Sequence, residues 1–119
     1  AKNAFERRGF MNSIFYLHQS AERIYNTILL VFTGYKPKTH NLDRLRSLSK
    51  AFSPELYLIF PSNTKKEEYL FSLLERGYID ARHNNDFKIS ETELSVLIDR
   101  VNRLLHITAK ICKQQIEGI

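Results

Sequence analysis

The chain contains one cysteine, Cys112, which excludes an internal disulfide framework and any cysteine-cluster zinc site. Four glycines and three prolines among 119 residues are too few for a glycine-built loop architecture, a collagen-like repeat or a disordered chain. No uninterrupted apolar run approaches a membrane span and no secretory h-region opens the sequence, so a reducing, cytoplasmic setting is expected. A Walker loop, a nucleophile elbow, a His-Glu-x-x-His segment and a paired-aspartate motif for two-metal transfer are all missing. Catalytic nucleotidyl transfer is therefore not assigned to this chain, and neither a cofactor nor a metal site is expected.

What is present suits a single folded unit over residues 1–119, with enough apolar residues for one core. The start at Ala1-Lys2-Asn3-Ala4-Phe5, without methionine, is expected of a piece of a longer protein as well as of simple methionine removal. The formal net charge is +5, which permits contact with nucleic acid, nucleotide phosphates or an acidic protein surface.

Apolar periodicity places most of the chain in helices. From Ala4 to Phe32, Ile14, Leu17, Ala21, Ile24, Ile28 and Val31 form one stripe, and Phe15, His18, Glu22, Tyr25, Leu29 and Phe32 form a second beside it. Such a helix touches two neighbours and carries a polar pair inside one contact. Gly34 ends it, and residues 35–40 read as a structured turn around Pro37. Asn41 caps a short helix with Leu42, Leu45 and Leu48 inward, and Ser53-Pro54 opens another short turn that ends before Pro61.

Thr64-Lys65-Lys66-Glu67 has capping-box spacing, followed by a core face of Leu70, Leu73, Leu74, Gly77 and Ala81, with Phe71 and Ile79 on a further packing surface. Gly77 allows a close helix approach. Helicity is expected to fade near Asn84-Asn85-Asp86. A second capping box, Ser90 to Glu93, then starts a helix whose stripe is Leu94, Leu97, Val101, Leu104, Leu105, Thr108 and Cys112. No alternating segment with hairpin turns competes, so the fold class is all-α, a bundle with three long helices and one or two short ones.

Candidate functional residues fall into four groups. Arg76, Asp80 and His83 share one helical face, where the Arg can bind a phosphate oxygen and the His can move a proton; the bland alternative is an exposed Asp80–Arg76 pair beside a surface histidine. Arg82 points elsewhere, towards Phe71 and Glu75, as an anchor of a structural network or an interface. His18 and Glu22, four apart, read as a hydrogen-bond network joining helices rather than a metal site, and His40 as a turn-fixing residue or a ligand contact. Lys36 and Lys38, with Arg44, Arg46 and Lys50, form a basic stretch around the turn, and Arg100, Arg103, Lys110 and Lys113 add charge along the last helix.

The run Phe15-Tyr16-Leu17-His18-Gln19-Ser20-Ala21-Glu22, then Gly34-Tyr35-Lys36-Pro37-Lys38-Thr39-His40-Asn41-Leu42, and later Tyr78-Ile79-Asp80-Ala81-Arg82-His83, resembles the HEPN family found in higher eukaryotes and prokaryotes. In order and spacing the resemblance covers nearly the whole chain. It implies an up-and-down helical bundle, commonly a homodimer, encoded beside or fused to a small nucleotidyltransferase domain, and hence a transferase partner in cis or in trans. Some members are metal-independent RNases, often toxins of toxin-antitoxin pairs, built on an Arg and a His at the spacing of Arg76 and His83; those members usually place a polar residue after the Arg, where this chain has Gly77.

Members associated with nucleotidyltransferases are more similar and often show Ala-Arg-Tyr where this sequence has Ala81-Arg82-His83. That branch implies an accessory domain that binds a nucleotide or nucleic-acid ligand, through Arg76, Asp80, His83, Lys36 and Lys38, or that scaffolds the transferase. A dimeric RNase using Arg76 and His83 is the second reading, and an oligomerisation scaffold the third.

Overall fold

The computed structural model describes residues 4–61, 63–77 and 88–118, with side chains described from residue 8 onward. The described residues form an all-α bundle without strands: α1 (Ala4–Thr33), α2 (Leu42–Lys50), α3 (Pro54–Ile59), α4 (Lys65–Arg76) and α5 (Glu91–Glu117). At 1.5 Å per residue α1 is about 45 Å long and α5 about 40 Å. The third long helix expected from the sequence is α4, which is shorter within the described range. Ala81, Ile79 and the 84–86 segment lie outside the described residues.

α1 is the hub: it packs most extensively on α5 and also meets α2 and α4. Both of its stripes are used, because Ile14, Ala21 and Ile28 are buried on one and His18, Tyr25 and Leu29 on the other. Gly34 closes the helix at φ +73°, a left-handed conformation that favours glycine, and its N–H donates to the Leu30 carbonyl at 2.8 Å. Asn41 starts α2 by accepting the Arg44 N–H on Oδ1 at 3.1 Å. Ser90 starts α5 with a reciprocal box, in which Glu93 N donates to Ser90 Oγ and Ser90 N to Glu93 Oε1.

Four expectations are corrected. Thr64 caps α4 through its hydroxyl, but Glu67 does not return to close a box, because Arg100 of α5 holds its carboxylate with both guanidinium nitrogens. Leu48 and Leu105 are exposed: Ser49 takes the inward position on α2 by donating its hydroxyl to the Leu45 carbonyl, and Leu105 sits one residue, about 100°, off the α5 stripe that runs through Leu104. Phe71 belongs to the main core, where it meets Phe60 at 5.3 Å between centroids and lies under the Arg46 guanidinium at 3.9 Å.

Candidate functional site

The polar face of α1 is as regular as its apolar stripes. Gln19, Glu22, Arg23, Asn26, Thr27 and Leu30 recur at spacings of three and four, and they form one wall of a groove of about 510 Å³ whose other wall is Lys36 and His40 from the α1–α2 turn. An overlapping hollow of about 420 Å³ continues past Lys36 along Pro37, Lys38 and Thr39, again over Glu22 and Asn26. Gly34 makes this possible, since its positive φ turns the chain back alongside the helix it has just left.

Glu22 organises the groove. Its Oε1 accepts from His40 Nδ1 at 2.6 Å, a distance at which the ring nitrogen facing a carboxylate carries the proton. Its other oxygen, Oε2, stands 3.9 Å from Nδ1 of His18. The two imidazoles differ in environment: His40 is exposed, whereas His18 is only 2% exposed. Burial holds the His18 imidazole below its ordinary pKa, against the pull of the Glu22 charge, and the nearby His40 adds to the lowering. His18 is thus a neutral group in the helix packing, and His40 ties the turn to α1.

Asn26 is 7% exposed and lines both hollows, and its Oδ1 has no hydrogen-bond partner among the described residues. A buried amide oxygen without a donor is costly, and a groove that can admit a ligand or water donor is one way to satisfy it. Among the described residues no group of three or more His, Cys, Asp or Glu side chains is arranged to hold a metal ion. The chemistry available is recognition: cationic Arg23, Lys36 and Lys38, a carboxylate linked to an imidazole, and amides that donate and accept.

The HEPN domain profile matches residues 1–112. The chain belongs to the HEPN family. A comparison with curated proteins gives no match. In this HEPN domain the structure brings Glu22, His40, Lys36 and Lys38 together where the turn folds back on α1, with the buried His18 beside Glu22, although His40 is 18 residues from Glu22 and spacing alone does not join them. Arg76 is exposed in the last turn of α4. Asp80, Arg82 and His83 lie outside the described residues.

Two members of the basic set are structural in this HEPN domain. Arg46 donates to the Phe60 carbonyl at 2.8 Å and pairs with Asp43, and Arg100 donates to the Ile59 carbonyl and holds Glu67. The bond from Arg100 keeps the Glu67 carboxyl below the usual carboxylate range. Sequence reasoning missed Arg23, Asn26 and Thr27, yet their signal was there, because they share the three-and-four spacing of Gln19 and Glu22.

Proposed function

We propose that this HEPN domain is a noncatalytic accessory module, of the nucleotidyltransferase-associated kind, that binds the phosphate-bearing part of a nucleotide or nucleic-acid ligand in the groove between α1 and the α1–α2 turn. The observation that carries the reading is the gathering of Arg23, Lys36 and Lys38 around a groove floored by the buried amide of Asn26. Phosphate oxygens are acceptors that suit the cations, and sugar or base N–H and O–H groups suit Glu22 and Asn26. The His40 contact lowers the cost of having a carboxylate beside an anion, since a ring N–H donated at 2.6 Å already occupies one Glu22 oxygen. Family membership and the net charge of +5 favour the same ligand class. The transfer chemistry, for which this chain has no motif, belongs in this reading to a nucleotidyltransferase partner.

Calorimetric titration with nucleoside triphosphates and with a short single-stranded oligonucleotide, at about physiological salt, tests it. Saturable binding by at least one of them, weakened by Lys36→Ala, is the expected result. No binding of either class overturns the proposal, as does metal-independent RNA cleavage that disappears in a folded His83→Ala variant.

A further inference from the structure

Beside the polar groove lies a second, apolar cleft of about 610 Å³, walled by Leu29 and Thr33 of α1, by Leu48 and Phe52 from α2 and its exit, and by Tyr35 and Pro37 of the turn. We propose that this cleft seats the nucleobase of a nucleoside phosphate whose phosphates lie over the wall on the Lys36 side; the inference rests on the nucleotide-binding reading given above and assigns its ligand class. Three observations point to that occupant.

The cleft adjoins the hollow that extends the polar groove, because Pro37, Lys38 and Thr39 form a wall common to both. A ligand that spans this wall needs an apolar end and an anionic end. The cleft also has the right chemistry for a flat ring: Phe52 stacks on Phe32, with centroids 5.2 Å apart and planes 27° apart, and Tyr35 stands at the lip with 62% of its surface exposed. Aromatic platforms bind bases through faces that every base possesses.

The charges at the rim fit as well. Lys38 and Arg44 line the cleft and Lys36 lies beyond the shared wall, so cations flank the apolar surface, and no carboxylate lines the cleft among the described residues. That arrangement suits an anionic ligand with an aromatic end. The side chain of Tyr35 is free to be tested, because the contacts that fix this residue are made by its backbone, whose N–H donates to Thr33 Oγ1 at 3.1 Å. Truncating the ring leaves them in place.

The experiment compares ATP and GTP with inorganic tripolyphosphate, which carries the charge without a base, on the full chain at one salt concentration. A nucleoside triphosphate is expected to bind about tenfold more tightly than tripolyphosphate, the size of one base–aromatic contact. Tyr35→Ala is expected to abolish that preference while leaving tripolyphosphate binding unchanged, and Lys36→Ala to weaken both ligands. Leu48→Ser, on the opposite wall, repeats the measurement, and circular dichroism confirms that each variant folds. Equal binding of the two ligands, or a preference that survives both cleft variants, overturns the base site and leaves the phosphate reading standing. Absence of binding by every phosphate ligand overturns both, and an oligonucleotide that binds where nucleoside triphosphates do not overturns the mononucleotide assignment.

Discussion

Gly77 shows how narrow the tolerance is where α4 meets α1. A Cβ there would stand 2.8 Å from Ile14 Cγ1 and 3.0 Å from the Ile14 carbonyl oxygen, and Ile14 is fully buried, so its side chain has no room to move aside. The backbone of Gly77 is ordinary right-handed helix, which means that Ala would gain helix propensity at this position. Overpacking outweighs that gain: Gly77→Ala is expected to destabilise the domain by about 1–3 kcal/mol, read as a lower urea midpoint at unchanged slope.

His18 governs the pH response at the same scale. Its pKa in the folded protein lies below the ordinary 6.5, so the unfolded chain takes up the proton first as pH falls. The stability linked to His18 is complete above about pH 6.5 and is lost as pH drops through the folded value. Urea midpoints measured from neutral pH down to about pH 5 should therefore fall, and His18→Gln should flatten that segment of the profile. A profile of unchanged steepness in the variant would show that the loss arises elsewhere.

At the scale of elements, the two serine- or threonine-led caps look alike in the sequence and behave differently in space. Ser90 and Glu93 satisfy each other, so Ser90→Ala should cost about 1 kcal/mol at the start of α5. Glu67 instead bridges to Arg100, so Glu67→Gln should weaken the joint between α4 and α5, by about 1 kcal/mol once solvent screening is allowed for. Because the bond to Arg100 lowers the Glu67 pKa, that stability is present above the ordinary carboxylate value of 4.5 and is lost below it, in a more acidic window than that of His18. Thermal melts at neutral and acidic pH separate the two: the Glu67→Gln deficit should shrink in acid.

These pairs also mark how far the sequence is legible. Local rules decide the helices, their caps and the turn at Gly34, because periodicity and capping act within a few residues. The contacts of Glu67 with Arg100 and of His40 with Glu22 span 33 and 18 residues, and nothing in local spacing indicates them. Arg46 and Arg100 look like surface charge for the same reason. Their carbonyl partners at Phe60 and Ile59 exist only after α3 has docked. The polar face of α1 was readable but easily passed over, since a search for apolar stripes does not register Asn26 among charged neighbours.

For the whole molecule, two long helices lying against each other give an elongated shape of 55 × 27 × 20 Å and a radius of gyration of 15.0 Å, against about 13–14 Å for a compact chain of this length. The polar groove and the apolar cleft share one end of α1, while the net charge of +5 acts on any anion approaching that end. The two halves of the proposed site should therefore respond differently to salt. Raising it from about 0.05 M to 0.5 M shortens the screening length from roughly 14 Å to 4 Å, so the affinity for tripolyphosphate should fall several-fold. The ratio of nucleoside triphosphate to tripolyphosphate affinity should stay nearly constant, because base stacking in the cleft does not depend on that field. Lys36→Ala should make the salt dependence shallower for both ligands. A ratio that collapses with salt would mean that the preference for the nucleotide is electrostatic, and the base would then have no seat in the cleft.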